Sequence, residues 1–287
     1  MNISAVSIGV ILLVIGNLSA SLSDVAVKLL HGGISPYQYI FVRQFLSVLL
    51  ITPIWLHQSK PQRALTAPYL TATRSILIII GSGCLMVAIT HLPLATANAI
   101  IYAAPLIMLP LSIWLLKEVP PLSKVIGTVI GFCGVLIVLR PSQFHWAGLF
   151  ALGTATTLAL FNILARKIPQ KQPIVTTLFW TSLLSLPVSG LLALLDWQPI
   201  SIDQIALVGA SAMLILLYNG CAVKAYKKAP AGQIALAEHS GLIFVGLFGV
   251  WWFDEIPDLL TALGIALIIL PLIPFRQLFI RAKQSSK

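Results

Sequence analysis

The chain is short of charge, and of acid above all. Aspartate and glutamate together number 8 against 18 lysines and arginines, and charged residues make up 9% of the 287 positions. A soluble globular domain carries about a quarter. HExxH, GxSxG and a glycine-rich phosphate loop are all missing, and with them the marks of a zinc protease, a serine hydrolase and a nucleotide site. Cys84, Cys133 and Cys221 form no CxxC pair and join no Cys/His cluster of metal-ligand spacing. Reduced packing thiols are expected, with no metal and no cofactor. The 5 histidines and 8 acids are scattered, so no nucleophile, base and oxyanion site fall together and an enzyme is not expected. Neither a symmetric ring of charge nor a carbonyl filter motif occurs, which disfavours a channel.

What the chain has instead is apolar length. Hydrophobic residues are 58% of the total and mean hydropathy is +0.97, the composition of an integral membrane protein. Runs long enough to span fall at 5–27, 36–56, 68–90, 94–116, 122–140, 147–165, 174–195, 203–223, 232–253 and 258–276, on the criterion of about 20 apolar residues per helix. The first run has no basic flank before it and is long enough to cross, so it reads as a helix and not a cleaved signal. Tight turns such as His31–Pro36 and Pro169–Pro173 oblige neighbouring helices to run antiparallel.

A net charge of +10 would suggest nucleic acid in a soluble protein. Here its distribution explains it. With the N-terminus inside, Lys60, Arg63, Lys117, Lys124, Arg166, Lys167, Lys171, Lys224, Lys227, Lys228 and the basic residues after 275 gather at the inner face, while Lys28 and Arg140 alone face out. That is a positive-inside bias, and it predicts cytoplasmic N- and C-termini. No nucleic-acid partner is expected.

The pattern also occurs twice. An offset of 137 residues lays Gly16 on Gly153, Pro36 on Pro173, Gly83-Cys84 on Gly220-Cys221, Pro93 on Pro230, Glu118 on Glu255 and Gly127 on Gly264. Recurrence of rare residues at one spacing marks a duplicated unit. Each unit holds five expected spans, and an odd number forces the second copy into the membrane from the opposite side. The predicted architecture is all-α, ten transmembrane helices in two inverted five-helix repeats over 5–140 and 147–276, with a basic cytoplasmic tail at 277–287. Such repeats hold a substrate near the midplane between them.

The stretches His91-Leu-Pro-Leu-Ala-Thr-Ala-Asn98, Ala103-Ala-Pro105, Trp114-Leu-Leu-Lys-Glu118 and Gly131 to Pro141 resemble the EamA-like branch of the drug/metabolite transporter superfamily. Ala229-Pro-Ala-Gly232, Trp252-Phe-Asp-Glu-Ile-Pro257 and Gly264 repeat the resemblance in the second half. It implies alternating access for a small organic solute across a bacterial inner membrane, and leaves the solute open.

Candidate functional residues are those the duplication does not keep. Asp24, Lys28, Arg43, Arg74, Glu238 and His239 stand opposite Phe161, Ala165, Trp180, Ser211, Ile101 and Tyr102. Ionisable groups inside a bilayer are costly and turn toward partners or a pathway. Glu238, about 12 Å into its helix at 1.5 Å per residue, suits a proton-coupling carboxylate; a permanent ion pair with Arg74 stands as the equal alternative. Asp24 and Lys28 at i, i+4, with Arg43 entering from the same side, form an outer gate, a site for a substrate carboxylate through Arg43, or an ion-pair clamp between the first two helices. His239 is a packing residue or a shuttle. Asn98, Tyr102 and Trp180 are expected to shape a central site for a planar solute; packing is the simpler role for the small residues beside them.

The expected function is proton-coupled export of an amino-acid-like or drug-like solute, with uptake of a vitamin or nucleotide-like metabolite as the alternative. A non-transporting membrane subunit is the alternative of another class. The partners expected are the solute, protons as coupling ion and the lipid bilayer, for a monomer or weak oligomer.

Overall fold

The computed structural model describes residues 5–116, 122–139, 145–165, 167–169, 171–228, 237 and 240–269. Among them are twelve helices and no strand: α1 (Ala5–Lys28), α2 (Pro36–Leu56), α3 (Lys60–Arg63), α4 (Pro68–His91), α5 (Leu94–Ile101), α6 (Ala104–Leu116), α7 (Leu122–Leu139), α8 (Ala147–Ala165), α9 (Ile174–Leu195), α10 (Ile202–Lys228), α11 (Ser240–Phe253) and α12 (Leu259–Ile269). This is an all-α integral membrane fold, in which every helix satisfies its own backbone away from water. Seven segments are long and apolar enough to cross a bilayer among the described residues; Val125–Leu139, α11 and α12 are shorter apolar helices. The expected span at 232–253 is described continuously only from Ser240.

Local sequence sets the helix starts. Pro36 and Pro68 occupy first turns, where a missing N–H costs no bond, and Ser35 Oγ accepts from the Gln38 N–H at 3.2 Å. Two successive left-handed residues, His31 at φ 48° and Gly32 at φ 70°, reverse the chain after α1. The fourth expected span is not one helix. The Tyr102 N–H bonds Asn98 O at 2.8 Å, the Ala103 N–H turns back to Ile100 O at 3.0 Å, and α6 starts afresh at Ala104. The new start places Pro105 within a first turn instead of a helix interior.

The packing joins helices that the 137-residue offset relates. Helix α1 runs along α10 in the opposite sense, so that Gly16 meets Cys221 and Ser23 meets Ser211. Helix α4 runs along α8 the same way, Gly81 meeting Thr157 and Cys84 meeting Gly153. The 137-residue offset turns α1 into α8 and α4 into α10, so each of these pairs maps onto the other. The remaining large pairings, α2 with α9 and α7 with α12, map onto themselves. At the α7–α12 crossing a Cβ on Gly134 would lie 2.6 Å from Gly264 O, and one on Gly264 would lie 2.9 Å from Gly134 O. Only glycine permits two backbones that close, the arrangement that drives helix association where water supplies no hydrophobic force.

Candidate functional site

One face of α1 is polar. Asn17, Ser21, Asp24 and Lys28 fall at i, i+4, i+7 and i+11 of α1, the spacing that lines one side. Each rung has a partner on α5, α11 or the residues flanking them. Asn17 Nδ2 donates to Ala237 O at 2.8 Å and to Ser240 Oγ at 3.1 Å. Ser21 Oγ donates to Gly241 O at 3.2 Å. The Asp24 carboxylate accepts from the Asn98 side-chain amide and has Arg43 as its facing positive charge. Lys28 Nζ donates to Leu92 O at 2.9 Å and forms an ion pair with Glu255.

Asp24 lies within the bundle and keeps part of its surface accessible. Arg43, on α2, is the nearby positive charge, beyond ion-pair distance. Its Nη1 donates to Ser82 Oγ at 3.0 Å, and its guanidinium stands 5.8 Å from the Tyr39 ring centre. The Tyr39 hydroxyl is 3.4 Å from Ser211 Oγ, itself 2.7 Å from Ser23 Oγ. Helices α1, α2, α4, α5 and α10 thus each bring a polar group to this level of the protein.

The Lys28–Glu255 pair is built with care on both sides. Asp254 takes φ 52°, a left-handed turn that ends α11 and lets the Glu255 N–H bond Gly249 O at 2.9 Å. That reversal aims the carboxylate back at Lys28, where Oε2 also accepts from the Leu94 N–H at 2.7 Å. An anion on the first turn of α5 satisfies a donor that has no helical partner and suits the helix dipole. Lys28 in turn stands 5.1 Å from the Phe253 ring centre. Beside the pair opens a cleft of about 260 Å³, lined among others by Pro93, Thr96, His145, Glu255 and Asp258.

The sequence-derived candidates therefore separate. Asp24, Arg43 and Asn98 come together. Lys28, expected to cluster with Asp24 and Arg43, turns to Glu255 instead, because its backbone and carboxylate partners lie one turn further along α1. Tyr102 ends α5 with its hydroxyl over Gly241. Trp180 sits apart, its Nε1 donating to Arg63 O at 2.9 Å and its ring edge-on to Trp55 and Phe179. Arg74 is 4% exposed and its guanidinium carbon stands over Phe161, 3.8 Å from the ring centre. Glu238 and His239 lie outside the described residues, as does Glu118. Asn17, Ser21 and Glu255 are the residues that sequence reasoning passed over as site members. For the first two the signal was present in the i, i+4, i+7, i+11 stripe.

An all-α membrane protein with ionisable groups inside its bundle has the build of a membrane transporter. The chain belongs to the EamA-like transporter family, whose model matches residues 7–140 and again 145–273. The chain is 26% identical over 258 residues to an S-adenosylmethionine uptake transporter of Rickettsia prowazekii (strain Madrid E), covering 88% of this chain and 86% of that protein. It is 29% identical over 203 residues to a riboflavin transporter of Vibrio cholerae serotype O1 (strain ATCC 39315 / El Tor Inaba N16961), covering 69% and 67%. A solved crystal structure superimposes with a TM-score of 0.60 at 17% identity over 94% of this chain and 98% of the other, a likeness of fold.

Proposed function

We propose that this transporter is a secondary carrier for a small metabolite that bears a positive charge beside an amino-acid group, with S-adenosylmethionine the first candidate, and that Asp24 holds the positive charge. One observation carries the reading: an acid within the bundle, partly accessible, that accepts from Asn98 and faces Arg43. In an empty carrier Arg43 neutralises Asp24. A cationic solute competes for the same carboxylate and frees Arg43, which keeps its bond to Ser82. Interior charges are retained in membranes for such exchange or for pairing.

S-adenosylmethionine joins a sulfonium and an α-ammonium to a carboxylate and a planar base, so it matches an interior that offers charge and aromatic surface. The relatives named as uptake transporters for this solute span nearly the whole chain, and they favour uptake over the export expected from the sequence. Our reading further takes the molecule as a monomer of ten spans in two inverted repeats, 5–140 and 147–276, in the bacterial inner membrane, with the tail 277–287 and both termini cytoplasmic. Protons are the coupling ion in this reading, with a protonated Asp24 releasing its cargo.

The test is transport into proteoliposomes. Labelled S-adenosylmethionine should enter saturably, respond to an imposed pH gradient, and need a much higher concentration for half-maximal entry when Asp24→Asn removes the charge. Wild-type vesicles that accumulate none of it, while accumulating another class of solute, would overturn the assignment.

A further inference from the structure

Asp24 and Arg43 are opposite charges held apart. They lie beyond ion-pair distance yet within each other's field, and each is braced by a neutral group of its own: the Asn98 amide for the acid, Ser82 Oγ at 3.0 Å for the guanidinium. Asn98 is itself fixed on α5, where Nδ2 donates to Leu94 O at 3.2 Å. Beside Arg43 stands the Tyr39 ring, whose hydroxyl runs on to Ser211 and Ser23. These five supports are all buried, whereas Asp24 and Arg43 both keep accessible surface. At this level of the protein the sealed groups are neutral, and the accessible ones are the two charges.

One turn away the same helix shows the other arrangement: Lys28 and Glu255 are in direct contact. Asp24 and Arg43 are not closed in that way. A guanidinium has five N–H donors, and among the described residues that of Arg43 finds one hydrogen-bond acceptor, Ser82. The Asp24 carboxylate finds one hydrogen-bond donor, Asn98. Both charges therefore have bonding capacity left over, on groups that keep accessible surface. An α-amino acid carries its ammonium and its carboxylate on a single carbon. It fits opposite charges set a short gap apart, and it has no place in a closed pair.

We propose that Asp24 and Arg43 clamp the amino-acid end of the cargo between them, Asp24 taking the ammonium and Arg43 the carboxylate. The planar fork of Arg43 suits two parallel bonds to a carboxylate. The bond to Ser82 and the neighbouring Tyr39 ring set the direction of that fork before the cargo arrives, which lowers the ordering cost of binding. Arg43 is then a selector as well as a counter-charge. A cation without a carboxylate has to compete with Arg43 for Asp24, while an amino acid gives Arg43 a new partner in exchange. This inference rests on the cationic-solute reading above.

The test is binding to the full chain in lipid nanodiscs, using S-adenosylmethionine and its analogue lacking the carboxyl group. Wild type should bind S-adenosylmethionine about tenfold tighter than the analogue, or more. Arg43→Met should erase that preference from both sides: weaker binding of S-adenosylmethionine, and equal or tighter binding of the analogue, which no longer contends with Arg43. Arg43→Lys should restore part of the preference, since a point charge still attracts a carboxylate. Equal affinities in wild type, or the full preference kept by Arg43→Met, overturn the clamp and leave a cationic cargo at Asp24 standing. The wild-type comparison decides the matter even if the variants do not fold. Wild type that binds neither compound is a different pattern, and it removes the cationic-solute reading itself.

Discussion

Gly153 meets Cys84 where α8 crosses α4: a Cβ on Gly153 would stand 3.7 Å from Cys84 Cβ. Gly16 meets Cys221 in the corresponding crossing of α1 and α10, 3.3 Å by the same measure. Each pair is the other's copy at the 137-residue offset.

The first separation falls within the Cβ–Cβ range of about 3.5–4.5 Å that a disulfide needs. Gly153→Cys should cross-link to Cys84 under mild oxidation. The check is mobility on a non-reducing gel after the chain has been cut between α7 and α8. Fragments that separate without reductant would contradict the crossing.

Lys28 and Glu255 are both well covered, at 11% and 20% side-chain exposure. Removing one partner of such a pair leaves a charge stranded, at a cost of about 3–5 kcal/mol, whereas replacing both with apolar residues is often neutral. Glu255→Leu should thus lower the melting temperature in detergent clearly more than Lys28→Met combined with Glu255→Leu. If the double variant melts lowest, the pair is not coupled.

Asp24→Asn keeps shape and removes charge. The loss of a hydrogen bond to an ionised group, about 2 kcal/mol, should weaken apparent affinity for a cationic cargo roughly thirtyfold, and Asp24→Glu should recover part of it. Asn98→Leu should have a smaller effect in the same direction, since it removes only the amide that steadies the carboxylate. Transport kinetics in proteoliposomes measure both. Unchanged affinity in Asp24→Asn would move the site elsewhere.

Gly134→Leu and Gly264→Leu each force side-chain atoms into a backbone carbonyl. Overpacking of this kind costs about 1–3 kcal/mol or more, and both variants should melt earlier than a control such as Val129→Leu on the lipid-facing side of α7. The melting curves of the three proteins decide it.

The fold was readable where a signal is local. Apolar runs mark helices because each must bury its own backbone, and Pro36 and Pro68 mark starts because a ring fits the first turn. The break after Ile101 was not read from hydropathy, which stays high through 94–116 and carries no information on where a helix turns. The site was harder. Lys28 finds Glu255 across 227 residues of chain, and the choice between that partner and Asp24 depends on which helices are neighbours. Sequence spacing gives the face of α1 on which Lys28 lies; it does not say that Leu92 and Leu94 meet that face. Trp180 reads as a site aromatic by depth alone, but its azimuth on α9 turns it toward Arg63. Asn17 and Ser21 were within reach, because their stripe with Asp24 needs only a helical wheel.

The ion pair between Lys28 and Glu255 has no duplicate. The offset places Ala165 where a second lysine would stand, so the matching contact at the other end of the bundle cannot be made by the same chemistry. A molecule built from two nearly equivalent halves would pass between its two orientations as freely one way as the other. In the secondary-carrier reading proposed above, a latch fitted at a single end gives the two orientations different energies, so that the carrier waits longer in one of them.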